Sequence, residues 1–171
     1  IGPGIGKGEG IHTFIQSVVS KLDLPMVIDA DALYHLKVFP KGAILTPHHG
    51  EMLHLLGKDE LIYDDCQAFG EEAQVTVVLK GAPTWIFHPK TLPLIAVKGD
   101  PGMATAGTGD VLTGMIAALL AQGLRGREAA ALGVYLHGTC GEIVAAKQTS
   151  YDLIASDLIE ALPEAFHALL Q

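Results

Sequence analysis

The chain has 171 residues, 49% of them hydrophobic, which is enough for one domain with a sizeable apolar core and argues against intrinsic disorder. Its formal net charge is −8 and the sequence has no basic cluster, so nucleic acid and anionic membrane surfaces are not expected partners. The longest apolar stretch, at 111–121, is too short to span a bilayer. The isolated Cys66 and Cys140 are typical of small buried residues in a reducing cytosol.

The chain opens with IGPGIGKGEG at 1–10, a glycine density that favours close approach of the backbone to a ligand such as phosphate. The spacing fits neither a Walker A loop nor a dinucleotide-binding fingerprint. The next segment, LPMVIDADAL at 24–33, predicts a short buried strand that ends in Asp29 and Asp31. Strand alternation would point both carboxylates to one side as an acid/base pair. The second interpretation is that they are turn and helix-capping aspartates.

A strand, a loop and a helix are predicted over 42–57, GAILTPHHGEMLHLLG. The loop carries His48, His49 and Glu51, but adjacent side chains seldom ligate one ion, and the spacing is not that of a zinc site. A carboxylate holding hydrated magnesium near a nucleotide fits Glu51 better. The alternative is that Glu51 is an acidic residue favoured at a helix start.

Two further strands are predicted in VTVVLKGAPTWIFHP at 75–89, with a glycine turn between them, and LPLIAVKG at 92–99 can pair back onto the second. Lys80 and Gly81 stand where the first strand ends, the position at which open α/β sheets bind ligands. Lys80 could then meet a phosphate, and Gly81 could admit an adenine or a ribose. The alternative is an ordinary lysine that leaves a strand into a turn.

The strongest signal is the glycine-rich loop GDPGMATAGTGD at 99–110, which leads into three predicted helices at about 110–122, 127–147 and 155–170. Gly107 and Gly109 leave the backbone unobstructed at a helix N-terminus, a ready site for an anion. Asp110 follows in the first helical turn. The alternative is that Thr108 and Asp110 only cap the helix. Strands alternating with helices predict a mostly parallel sheet covered on both faces.

These segments, in this order, resemble the NAD(P)H-hydrate dehydratases, nucleotide-dependent repair enzymes of the ribokinase-like superfamily. The resemblance covers essentially the whole chain, and the block PGMATAGTGDVLTGMIAALLAQG is its most specific part. It implies a three-layer α/β/α fold with a mostly parallel sheet, a single domain over 1–171, a cytoplasmic location and a homo-oligomer, often a tetramer. The family domain extends further upstream, so we expect this chain to lack its N-terminal part. A fused epimerase domain upstream is a further hypothesis.

The resemblance also implies roles for particular residues. Asp110 matches the catalytic aspartate, which also binds substrate, and Glu51 matches a position that organises magnesium through water. The substrate-binding positions are Gly4 and Gly6, with Gly2 beside them, and His48. The nucleotide-binding positions are Lys80, Gly81, Ala82, Pro83, Thr84, Gly107, Thr108 and Gly109. Pro83 stands where the family usually has glycine, and it lacks an N–H and has a fixed φ.

The function implied is dehydration of the hydrated nicotinamide nucleotides NADHX and NADPHX back to NADH and NADPH, with ADP or ATP as co-substrate and Mg²⁺ as cofactor. Two alternatives remain open from the sequence. One is a small-molecule hydroxyl kinase of the same superfamily. The other is a nucleotide-binding module without activity.

Overall fold

The computed structural model describes residues 1–6 and 8–170, and a five-stranded sheet forms the centre of the molecule. The strands follow one another across the sheet in chain order, β1 to β5. Their bounds are Val27–Ile28, Ile44–Leu45, Thr76–Leu79, Thr84–Phe87 and Leu94–Ala96.

Seven helices are present among the described residues, together with a short 3₁₀ helix at Pro101–Met103. The helices α1 to α7 span Glu9–Lys21, Asp31–His35, His49–Leu56, Tyr63–Ala73, Thr108–Ala121, Gly126–Lys147 and Ala155–Leu169. The three helices predicted after the glycine-rich loop are confirmed, with bounds that differ from the prediction by one or two residues.

The sheet is mixed. The pairs β1–β2 and β2–β3 are parallel, whereas β3–β4 and β4–β5 are antiparallel. The predicted α/β/α fold is confirmed, but the parallel part is confined to the first three strands. The reason lies in the connections, because segment 80–83 is far shorter than the dozen or so residues that a parallel crossover needs. The pairing of 92–99 with the preceding strand is the hairpin that its sequence predicts.

Strands β1 to β4 bury side chains on both faces of the sheet, because neighbouring residues point to opposite sides, whereas Ile95 in the middle of β5 is exposed. One face packs against α1 to α4 and the other against α5 and α6. The first face carries Ile28, Leu45, Val77 and Phe87, and the second carries Val27, Ile44, Val78 and Ile86. The sheet is therefore the middle of three layers, and the carboxyl ends of β1, β2 and β3 meet at one edge.

Among the described residues, α6 is long and apolar enough to cross a membrane, by length and composition alone. In this fold 56% of its apolar window is buried inside the molecule. It packs against α5, α7 and the sheet, as the core helix of an α/β domain does. Gly133 permits part of this packing, because a Cβ there would lie 2.6 Å from Cγ1 of Ile116 in α5.

Candidate nucleotide-binding and catalytic site

A cavity of about 870 Å³ opens beyond the carboxyl end of β3. Its walls are the 80–84 turn, the loop at 96–105, the first turn of α5 and one side of α6. Eight of the residues predicted from the sequence line it: His48, Lys80, Gly81, Ala82, Pro83, Thr84, Thr108 and Gly109. Gly107 and Asp110 adjoin the lining residues of α5, whereas Gly4, Gly6 and Glu51 are not part of the wall.

The N-terminus of α5 carries no side-chain cap. Gly107 is the N-cap residue with φ of 89°, and no side chain in the described part of the chain accepts a hydrogen bond from the first turn. The Thr108 hydroxyl instead donates backwards, to the carbonyl oxygens of Met103 at 2.7 Å and Thr105 at 2.9 Å. The alternative that Thr108 and Asp110 only cap the helix is therefore wrong. The first-turn N–H groups stay available to an anionic ligand.

Asp110 lies in this first turn, directly after Gly109, which lines the cavity. Its side chain is exposed, and within residues 1–6 and 8–170 its carboxylate makes no hydrogen bond or ion pair. A carboxylate that no protein group holds can accept a proton from a bound ligand.

Lys80 is not an ordinary lysine at a turn. Its ammonium lies 2.8 Å from Oδ1 of Asp29, and only 21% of the lysine side chain is exposed. A Cβ placed on Gly109 would lie 3.5 Å from Nζ of Lys80, so the ammonium rests against the first turn of α5. A positive charge and a set of unpaired N–H groups thus meet at one point of the cavity wall.

The structure separates the two aspartates of VIDADAL. Asp29 is 1% exposed and faces Lys80, whereas Oδ2 of Asp31 accepts a hydrogen bond from the N–H of Gly6 at 3.0 Å. Of the two interpretations of these residues, the acid/base pair does not form, because the strand ends at Ile28, and the structure agrees with aspartates at a turn and a helix start. The backbone then turns at Ala30, with φ of 50° and ψ of −128°, and α2 begins at Asp31.

His48 and Glu51 form a capping box at the start of α3. Nδ1 of His48 accepts from the Glu51 N–H at 3.1 Å, and Oε2 of Glu51 accepts from the His48 N–H at 2.8 Å. Glu51 is thus the helix-start acid of the sequence analysis. Its Oε2 also lies 3.8 Å from Nζ of Lys80.

These contacts limit how a metal ion could be held. Within the described part of the chain, no group of three or more His, Cys, Asp or Glu side chains is arranged for a metal. Glu51 is 6% exposed and already engaged by His48. Glu51 is also not part of the cavity wall, so its carboxylate could reach a nucleotide-bound magnesium ion only through water.

The glycine-rich N-terminal loop docks beside Asp29 rather than in the cavity wall. Gly2 has φ of 134°, and a Cβ there would overlap the carbonyl oxygen of Asp29. Gly4 is exposed with φ of 66°, and Nε2 of His35 donates to the Gly6 carbonyl at 3.0 Å. The loop is thus fixed next to the carboxylate that pairs with Lys80.

Sequence reasoning missed His137, which lines the cavity from α6. Its Nε2 donates to the carbonyl of Thr108 at 2.8 Å, which ties α6 to the first turn of α5. Burial lowers the pKa of this imidazole, and the charge of Lys80 lowers it too, against the raising effect of the Thr108 carbonyl. The sequence holds no signal for this role, because only the packing of α6 on α5 brings His137 to the site.

The small residues of α6 also shape the cavity. A Cβ on Gly138 would lie 2.7 Å from the carbonyl oxygen of Lys98, and one on Gly141 would overlap Sδ of Met103. The loop at 98–103 can approach α6 only because these positions are glycine. Glu142 then holds the loop, since it accepts from Nζ of Lys98 at 2.7 Å and from the Gly99 N–H at 3.2 Å.

A three-layer α/β/α fold with a lysine at a strand end and an uncapped helix N-terminus beside it is typical of the ribokinase-like class of proteins. Comparison with known proteins identifies the family within this class. The chain belongs to the NAD(P)H-hydrate dehydratase family, whose model matches residues 1–164.

Two curated relatives illustrate the similarity. The bifunctional NAD(P)H-hydrate repair enzyme Nnr of Moorella thermoacetica is 40% identical over 175 aligned positions, which cover 95% of this chain and 33% of that protein. The ADP-dependent (S)-NAD(P)H-hydrate dehydratase of Neisseria meningitidis serogroup B is 38% identical over 159 positions, which cover 84% of this chain and 54% of that protein. The chain thus spans about a third to a half of the length of these relatives.

A solved structure shows the same fold. The ADP/ATP-dependent NAD(P)H-hydrate dehydratase of Bacillus subtilis, co-crystallised with ATP and Mg²⁺ and soaked with CoA, superposes with a TM-score of 0.85 at 32% identity. The match covers 98% of this chain and 64% of that chain. The ribokinase-like fold is therefore confirmed.

Proposed function

We propose that this chain dehydrates NADHX or NADPHX to NADH or NADPH and consumes ADP or ATP in doing so. One observation carries the proposal: the Lys80 ammonium rests at the uncapped first turn of α5, and the same turn carries Asp110, whose carboxylate has no partner among the described residues. Family membership and the names of the relatives supply the substrate class.

The nucleotide phosphates bind at this point of the cavity. Lys80 supplies a positive charge, and the N–H groups of Thr108, Gly109 and Asp110 supply donors and the positive end of the helix dipole. The base and ribose lie along the 81–84 turn, where Gly81 has no side chain. Thr84 holds this turn closed, because its hydroxyl donates to the Gly81 carbonyl at 3.0 Å.

The hydrate binds on the other side of Asp110, towards His48 and the glycine loop. The Asp110 carboxylate accepts the proton of the ring hydroxyl, and the hydroxyl oxygen attacks the terminal phosphorus of the nucleotide. The bond from that phosphorus to the bridging oxygen breaks, which releases AMP from ADP or ADP from ATP. Inorganic phosphate then leaves as the ring nitrogen supplies its electron pair, and loss of a proton from the adjacent carbon restores the dihydropyridine.

The charge that develops during phosphoryl transfer is met by groups fixed before the ligand arrives. Lys80 is held by Asp29, and the first turn of α5 is held by the hydrogen bond from His137. Such preorganised donors stabilise a transition state without reorganising. A magnesium ion bound with the nucleotide would neutralise phosphate charge, and Glu51 would be the carboxylate that holds it through water.

Cellular context follows from the same proposal. We propose that the protein works in the cytoplasm, as the buried, unpaired thiols of Cys66 and Cys140 favour. Burial raises the pKa of each thiol to about 11, so neither is reactive.

We further propose a homo-oligomer such as a tetramer, supported by the exposed apolar side chains of the edge strand β5, Ile95 and the adjoining Val97.

The test is an absorbance assay on the hydrates. With ADP or ATP present, the near-ultraviolet absorbance of NADH or NADPH should return, with one phosphate released per molecule restored and no return without nucleotide. A stable phosphorylated product in place of the restored dihydropyridine would instead identify a hydroxyl kinase. Nucleotide binding with neither product would identify a binding module.

A further inference from the structure

We propose that Asp29 is a positioning residue that fixes the ammonium of Lys80 at the first turn of α5. This inference rests on the proposed function, because it assumes that Lys80 meets the nucleotide. Asp29 itself is buried behind Lys80 at 1% exposure and does not line the cavity. It therefore acts on a ligand only through the lysine.

The geometry around Asp29 uses both carboxylate oxygens. Oδ1 accepts from Nζ of Lys80 at 2.8 Å, and Oδ2 accepts from the Thr113 hydroxyl at 2.7 Å. The Thr113 hydroxyl has one proton and donates it to Asp29. In the 3.3 Å hydrogen bond between the two threonine hydroxyls, Thr46 must therefore be the donor and Thr113 the acceptor. The network joins the carboxyl ends of β1, β2 and β3 to the second turn of α5, and it sets the lysine relative to that helix.

The backbone of Asp29 is equally constrained. Its N–H donates to the carbonyl of Ile1 at 3.1 Å, and its own carbonyl accepts from the N–H of Ala32 at 3.2 Å. Gly2 packs against that carbonyl so closely that no side chain fits there. The carboxylate is thus a fixed point from which Lys80 is held.

Stability alone is a poor reason for this ion pair. Taking a carboxylate and an ammonium out of water costs several kcal/mol per ion, and apolar residues of similar volume often serve a core as well. A free lysine stem, in contrast, samples many rotamers, so its ammonium is placed only if a partner holds it. The other nearby carboxylate, Glu51, is farther away at 3.8 Å and is engaged by His48.

The test is Asp29→Asn, which keeps size and shape but removes the charge. We expect kcat to fall by about 10–100-fold, because displacement of a catalytic group by about 1 Å costs on this scale. The Kd of ADP should change by less than about fivefold, because two effects of the substitution oppose each other. A less ordered Lys80 weakens ADP binding, whereas removal of the negative charge of Asp29, which repels the phosphates, strengthens it. A matched control is Asp65→Asn, which breaks the exposed Lys58–Asp65 pair at 2.6 Å and should leave both constants unchanged.

A double-variant cycle distinguishes positioning of Lys80 from a purely structural role of Asp29. If Asp29 acts through Lys80, the double variant Asp29→Asn/Lys80→Met loses no more kcat than Lys80→Met alone. Independent, multiplicative losses in folded variants would overturn the proposal. The double variant also removes both charges together, so it avoids the unpaired buried carboxylate that Lys80→Met leaves behind.

A crystal structure of Asp29→Asn with ADP decides the matter independently of turnover. We expect Nζ of Lys80 to move by more than about 1 Å from its place at Gly109. An unmoved Nζ would overturn the positioning role. If the unmodified chain restores no NADH from its hydrate, the proposed function fails, and the position of Nζ still tells whether Asp29 fixes the lysine.

Discussion

An Asp110→Asn variant is expected to lose about 10²–10⁴-fold in kcat, the usual scale for a single general base. The amide cannot take the proton of the substrate hydroxyl. Folding should change by less than about 1 kcal/mol, since Asp110 is exposed and holds no protein group. The Kd of the nucleotide should stay within a few-fold, because the N–H groups of the first turn remain.

The matched control is Asp64→Asn. Asp64 is also an exposed aspartate in the first turn of a helix without a side-chain cap, α4, but no residue of α4 lines the cavity, whereas Asp110 directly follows the lining residue Gly109. Its replacement should leave kcat, Kd and melting temperature unchanged. If Asp110→Asn folds normally and turns over as fast as the unmodified chain, Asp110 is not the base and the proposed mechanism is wrong.

A Gly109→Ala variant should separate stability from binding. Alanine favours the helix over glycine by up to about 1 kcal/mol, so the variant should melt at the same or a higher temperature. The added methyl would stand 3.5 Å from Nζ of Lys80, where the phosphates need to reach the backbone. Loss of one charge-assisted hydrogen bond there predicts about 10–100-fold weaker ADP binding, measured by calorimetry.

Gly114→Ala is the control for this prediction. Gly114 lies in the same helix, is exposed, and has no atom within 4 Å of an added Cβ among the described residues. It should bring the same gain in stability with unchanged ADP affinity. Equal affinities of Gly109→Ala and the unmodified chain would show that phosphate does not approach α5 at this turn.

The helices α3, α5, α6 and α7 and the two glycine-marked loops are predictable from the sequence because local signals determine them, whereas α1 and α4 were not predicted. Apolar spacing defines α5, α6 and α7, and the strand ending at Leu79 places Lys80 at the ligand-binding edge. Half of the sheet departs from the expected parallel order because the short 80–83 connection forces a hairpin. Alternation of strands and helices does not determine whether two neighbouring strands are parallel or antiparallel unless the length of the connection between them is also considered.

Contacts between distant segments of the chain could not be predicted from the sequence. Asp29 and Lys80 are 51 residues apart, and no spacing rule pairs them. The turn at Ala30, which sends Asp29 and Asp31 in different directions, has a positive φ that alanine rarely adopts. His137 reaches Thr108 only through the packing of α6 on α5. These two contacts and this turn, rather than any motif, determine how the site is held.

The most direct measurement is the crystal structure of this chain soaked with ADP. We expect density for the nucleotide between the 80–84 turn and residues 107–110, with a phosphate within hydrogen-bond distance of the Gly109 N–H and of Nζ of Lys80. ADP bound elsewhere, with these two loops empty, would contradict it.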